Sequence, residues 1–158
     1  MLKEKIKSDY IAAMKSKSEA EISILKMAIA AILNKEKEKQ YNAAKAGEGQ
    51  KTELTDEEIV DAISSEIKKL RDSVRLFEQG KRDDLAAKSQ NEIAILSRYL
   101  PAQLGEEAVK ELVAAAVKKT GASSTKEMSK VMAELMPEIK GKADGSMVSR
   151  LVKEALNH

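Results

Sequence analysis

The sequence predicts an all-α protein, with an N-terminal helical bundle followed by a smaller C-terminal three-helix domain. Three observations predict it. Apolar residues recur at steps of three and four through most of the chain. The composition favours helices over strands, with only three Tyr, one Phe, seven Gly and two Pro in 158 residues. The pattern S/T-x-x-E, which lets a helix satisfy its own first amides, stands before three of the apolar runs.

The elements follow in order. Residues 1–17 carry Leu2, Ile6, Ile11 and Met14 with lysines between them, which predicts a short amphipathic helix. Ser18-Glu19-Ala20-Glu21 is a capping box that opens a second helix. Its first part is apolar nearly all round, through Ile22, Ile24, Leu25, Met27, Ile29, Ile32 and Leu33, so it is expected at the centre of the bundle. From Asn34 to Ala46 the apolar pattern vanishes. The helix is expected to run on into solvent, to end near Gly47, and to give way to a mobile loop over 47–54.

Thr55-Asp56-Glu57-Glu58 is a second capping box. Ile59, Ile63, Ile67, Leu70, Val74 and Phe77 then give the cleanest helical spacing in the chain. Gly80 is expected to end that helix, and a shorter one follows through Leu85, Ile93 and Leu96 to Tyr99. Pro101 cannot continue a helix from within. The expected division is therefore an N-terminal bundle at 1–98, a linker at 99–104 and a C-terminal domain at 105–158.

In that domain Val109, Leu112, Val113, Ala116 and Val117 form one apolar face, ended by Gly121. Ser124-Thr125-Lys126-Glu127 is the third capping pattern. Met128, Val131, Met132, Leu135 and Met136 make the next face, and the methionines are expected in the core. A basic turn follows, Lys140 to Gly145. Gly141 is expected at positive φ, and Asp144 is expected to cap a last helix that carries Val148, Leu151, Val152, Ala155 and Leu156.

Composition also limits the chemistry. There is no Cys, and the single His is the last residue, His158. That removes disulfides, thiolate nucleophiles, Cys/His metal sites and Ser-His-Asp triads. Neither G-x-x-x-x-G-K-[ST] nor G-x-G-x-x-G occurs. The pairs Glu57-Glu58, Asp83-Asp84 and Glu106-Glu107 fall in first helical turns, where they complement the helix dipole. Ser64-Ser65, Ser123-Ser124 and Ser146 are expected on caps or polar faces. No catalytic residue, metal or cofactor is expected. An apolar run of 18 residues is absent, and so is an apolar stretch near the N-terminus, so the expectation is a cytoplasmic protein with no membrane partner.

Net charge is +2, but it is uneven. Between Lys118 and Lys153 eight cations face four anions, an excess of four that suits a modest anionic partner. No aromatic residue follows Tyr99. Base stacking is therefore ruled out for this half of the chain, and any nucleic acid would be held through phosphates, sugars and shape.

The stretch KVMAELMPEIKGKADGSMVSRLVKEAL, with ILKMAIAAILNKEKEK and the run from Leu54 to Leu104 that ends in YLPAQL, resembles the GatB/YqeY family over nearly the whole chain. Two positions depart from the pattern: Ser129 stands where Gly is usual, and Gly105 where a capping Ser is expected. The same module forms the C-terminal tail of the GatB component of glutamyl/aspartyl-tRNA amidotransferase, where it is implied to contact the tRNA body. The resemblance implies a non-catalytic tRNA-binding accessory protein. Lys140 and Lys142 would contact phosphates, aided by Lys126, Lys130 and Arg150, and the amides near Gly145 and Ser146 would add an anion site for which Asp144 competes. An alternative is a protein-interaction module that docks on an aminoacyl-tRNA synthetase or an amidotransferase through the arm from Asn34 to Ala46. A third reading, a carbon–nitrogen ligase with glutamine as amido-N-donor, is implied by the family alone, because the chain matches neither the amidase nor the carboxyl-activating part of such an enzyme.

Overall fold

The structure, a computed structural model, describes residues 1–47, 49 and 52–157. Among these residues the chain is all-helical: α1 (Leu2–Ser16), α2 (Glu19–Ala46), α3 (Asp56–Gln79), α4 (Asp83–Ser97), α5 (Glu106–Thr120), a 3₁₀ turn (Thr125–Glu127), α6 (Met128–Ile139) and α7 (Gly145–Leu156). The chain divides into two compact units, Met1–Leu100 and Pro101–His158.

In the first unit α3 packs along α4, and α2 lies against α1, α3 and α4. The central place expected of α2 is thus found. Its Ile24, Leu25, Ala28 and Ile32 are buried with Ile59, Ile63 and Ile67 of α3, and with Ile95, Leu96 and Tyr99. The four-residue step of the α3 isoleucines puts all three on one side of that helix. α1 turns Leu2 and Ile6 inward as expected, but not Ile11 and Met14. Ile6 and Ala13 are buried and Leu2 and Tyr10 pack beside them, whereas Ile11 and Met14 are about half exposed. Ala13 lies one turn from Tyr10 and two from Ile6, so a small side chain takes the inner position that Met14 would have filled.

The second half of α2 is less isolated than its polar sequence suggests. Lys39 Nζ lies 2.8 Å from a Glu58 carboxylate oxygen and 3.2 Å from the Glu53 carbonyl. Glu36 accepts from Lys3 Nζ at 2.6 Å and from the Leu54 amide at 3.3 Å. These contacts tie the helix to α1 and to the start of α3. Leu54, expected in a mobile loop, is buried in the core. Gly47 stops α2 as expected, at φ 72°. Residues 48, 50 and 51 of that loop, and His158, lie outside the described residues.

The three capping patterns have three outcomes. Thr55 Oγ1 accepts from the Glu58 amide and Glu58 accepts from the Thr55 amide, a complete capping box. Ser18 makes no side-chain cap, and its partner Glu21 pairs instead with Arg98 at 2.9 Å. Ser124 makes none either, since Glu127 accepts from the Ser123 amide at 2.9 Å and a 3₁₀ turn forms before α6 begins at Met128. The end of α3 also differs in detail. Gly80 keeps a negative φ, and the left-handed position falls on Lys81 at φ 53°.

The second unit packs α5, α6 and α7 against one another. Val109, Val113, Val131, Leu135, Ile139, Val148, Leu151, Val152 and Leu156 fill its core. Met128 and Met132 pack against it as expected, and Met147 packs there too, while Met136 is 42% exposed. Pro137 sits in the last turn of α6, close to where the helix stops.

Candidate nucleic-acid interface

The basic turn is built by its backbone. α6 ends at Ile139, whose carbonyl accepts from the amides of Lys142 at 2.8 Å and Ala143 at 3.1 Å. This reversal needs a left-handed residue, and Gly141 supplies it at φ 72°. Asp144 Oδ1 then accepts from the Ser146 amide at 3.1 Å and starts α7.

A second segment clasps the turn from outside. The Leu104 amide donates to the Lys142 carbonyl at 2.7 Å, and Gln103 Nε2 donates to the Gly141 carbonyl at 2.8 Å. Leu104 packs against the core of this unit, which anchors the clasp. The two stretches singled out in the sequence, around Gln103 and around Lys140 to Gly145, are therefore partners in space. Lys140 and Lys142 project as exposed side chains from a turn held at both ends.

The other three cations are placed differently. α6 has 12 residues, about 18 Å of helix at ~1.5 Å per residue. Lys126 in the 3₁₀ turn and Lys130 in the first turn of α6 lie at the end away from Lys140 and Lys142, so the structure does not gather all five into one cluster. Lys130 pairs with Glu127 at 3.2 Å. The Ser123 amide, with Lys130, holds the Glu127 carboxyl below its ordinary range. Arg150, on α7, pairs with Glu106 at 3.1 Å and Glu154 at 3.0 Å, and it holds the Glu106 carboxyl low. Lys119 pairs with Glu134. Among the described residues no ion pair involves Lys118, Lys126, Lys142 or Lys153.

Exposed ion pairs of this kind are worth only about 0–1 kcal/mol, so an incoming phosphate can displace Glu127 or Glu154 at little cost. The amide site considered at the start of α7 is another matter. Asp144 already occupies the Ser146 amide and supplies the negative charge that an anion would bring. What sequence reasoning missed is the clasp from Gln103 and Leu104. Its only advance signal is a polar, proline-led segment without apolar periodicity, which says nothing of where its donors go.

No described helix is long and apolar enough to cross a membrane. Among the described residues no group of three or more acidic side chains is disposed to hold a metal ion.

Comparison with known proteins settles the family. The Yqey-like protein family matches residues 3–156. The chain belongs to the YqeY-like family. It is also 29% identical over 157 residues to a Pyrenophora tritici-repentis (strain Pt-1C-BFP) protein, "Altered inheritance of mitochondria protein 41, mitochondrial". That match covers 96% of this chain and 79% of the relative.

Proposed function

We propose that this YqeY-like protein is a non-catalytic accessory that holds the folded body of a tRNA through its phosphates. The observation that carries the reading is the clasped turn: Leu104 and Gln103 fix the carbonyls of Lys142 and Gly141, so two lysines are presented from a rigid support. The resemblance of Lys130–Leu156 to the tRNA-contacting tail of the amidotransferase's GatB component supports it, as does the absence of aromatic residues after Tyr99. In this reading the first unit is an N-terminal helical bundle over 1–98, and the second a C-terminal three-helix domain over 105–158 joined through 99–104. The protein works in the cytoplasm, or, as the name of its relative suggests, in an equivalent organellar compartment.

If Lys140, Lys142 and two or three of Lys126, Lys130 and Arg150 each meet a phosphate, tRNA affinity should fall with salt at a log–log slope of roughly −3 to −4. Replacing Lys140 and Lys142 together by Ala should flatten that slope by roughly 1.5 to 2. Helicity should be unchanged, because the turn is held by backbone groups. Equal binding by the two proteins across salt would remove the turn from the site.

A second reading is favoured by the far end of α2, where Tyr41 is 68% exposed, beyond the Glu36 contacts. There the protein docks on a synthetase or an amidotransferase through that arm. Absence of any tRNA binding, with capture of such an enzyme that is lost on Tyr41→Ala, would select it. Ammonia release from glutamine by pure protein would overturn both readings in favour of a ligase-type activity.

A further inference from the structure

The first unit holds a groove that the tRNA reading does not use. It lies where α1, the start of α2 and the end of α4 meet, and it has a volume of about 390 Å³. That is within the ~300–1,000 Å³ typical of small-molecule sites. Its floor is apolar, from Ala13, Leu25 and Ile95, all buried. Its rim carries two cations, Lys5 and Arg98, and two anions, Asp9 and Glu21.

The rim groups are ordered but not saturated. Tyr99, a buried ring, donates its hydroxyl to Asp9 Oδ2 at 2.6 Å. Burial, and then the Asp9 carboxylate, push the Tyr99 hydroxyl well above its ordinary pKa, so it stays a donor. Its one hydrogen bond fixes Asp9 and leaves that carboxylate with further acceptor positions. Lys5 Nζ sits 5.7 Å from the centroid of the same ring, and among the described residues it has no carboxylate partner. Arg98 gives only Nη1 to Glu21 Oε1, at 2.9 Å, which leaves the rest of its fork of donors open.

Charge decides what such a groove can take. A phosphate or a polyanion would gain Lys5 and Arg98 but face Asp9 and Glu21, and a simple cation meets the converse problem. An apolar molecule would strip water from four charges without replacing it. The complement to a rim of two cations and two anions over an apolar floor is a small molecule that bears both charges at once. We propose that this groove binds a free α-amino acid, with its carboxylate on Lys5 and Arg98, its ammonium on Asp9 and Glu21, and its side chain over Leu25 and Ile95.

Saturation-transfer NMR of the full chain with each of the common L-amino acids at millimolar concentration tests this. At least one should bind. Its N-acetyl derivative and its decarboxylated amine should each bind roughly tenfold more weakly or worse, because each lacks one charge-assisted contact. Arg98→Gln and Glu21→Gln, both at the solvent-facing rim, should weaken the free amino acid by a similar factor while circular dichroism stays that of the wild type. Lys5→Gln should spare the amine and weaken the amino acid. No binding by any amino acid would overturn the proposal, as would equal binding of the singly charged analogues or binding untouched by both rim variants. The wild-type comparisons decide the matter even if a variant folds poorly. None of these outcomes depends on whether the protein binds tRNA.

Discussion

The two units hold their helices together by different polar means. In the first, beside local pairs such as Glu66 with Lys69, four contacts join residues far apart in the chain: Lys3 with Glu36, Lys39 with Glu58, Glu21 with Arg98 and Asp9 with Tyr99. The Lys3 and Glu36 side chains are only 18% and 14% exposed. In the second, several ion pairs stay within one turn, as with Glu107 and Lys110, Glu127 and Lys130, and Arg150 and Glu154. Those that cross between helices there, Arg150 with Glu106 and Lys119 with Glu134, remain accessible. The clasp of Leu104 on Lys142 is a backbone bond. The first unit thus adds charged contacts between distant segments to its apolar core, while the second relies more on backbone and apolar groups and keeps its ion pairs accessible.

The largest test of that contrast concerns the cores. Ile63→Ala in the first unit and Leu135→Ala in the second both delete a buried branched side chain, at about 2–5 kcal/mol each. The second unit spans only 101–158, and small units bury a smaller share of their surface and have less stability to lose. Leu135→Ala should therefore abolish slow hydrogen exchange across α5–α7, whereas Ile63→Ala should lower but not abolish protection in α2–α4. Equal residual protection in both units would break the comparison.

The next test uses acid. Burial opposes the Glu36 carboxylate, but the Lys3 ammonium and the Leu54 amide outweigh it and hold its carboxyl below the ordinary range. A depressed folded-state pKa stabilises above the unfolded value, about 4.3, and that stabilisation is lost as pH falls through the folded value. Glu36→Gln should thus be less stable than wild type at neutral pH, and the gap should close in acid. Glu106 and Glu127 are depressed too, but at accessible pairs. Added salt should flatten the acid dependence contributed by those two and leave most of that from Glu36. Denaturant melts across pH at low and high salt, read at probes in each unit, would show whether it does.

The smallest effects test the helix starts. Thr55→Ala breaks a complete box and should cost about 1 kcal/mol. Ser124→Ala and Ser18→Ala remove hydroxyls that cap nothing and should change stability little in thermal melts. Gly105 begins α5 at φ −70° with open space where a Cβ would stand, so Gly105→Ser should add a few tenths of a kcal/mol.

These helix starts also show what was legible in the sequence. Thr55 and Ser124 head the same four-residue pattern, and each local reading was equally sound. The outcomes differ because Glu58 is steadied by Lys39 from α2, while Glu127 turns to the Ser123 amide. Apolar periodicity located the helices and most core positions, since burial is a property of a whole face. It failed on α1, where Ala13 and Tyr10 point inward instead of Met14 and Ile11, because hydrophobicity alone does not say how much room the neighbouring helix leaves. Of the candidate site, the lysines and the Gly141 turn were readable. The clasp joins positions 38 residues apart, through Gln103 and Gly141, and carries no local trace.

That clasp has a consequence for how the surface can change. The shape of the turn is set by Gly141, by amides and carbonyls, and by the anchored Leu104. The backbone works as a socket, and the two positions beside its glycine carry exposed side chains. Substitution there should change the charge that the end of α6 presents while the backbone bonds of the turn persist. An engineer who wished to retarget this protein would begin at those two positions.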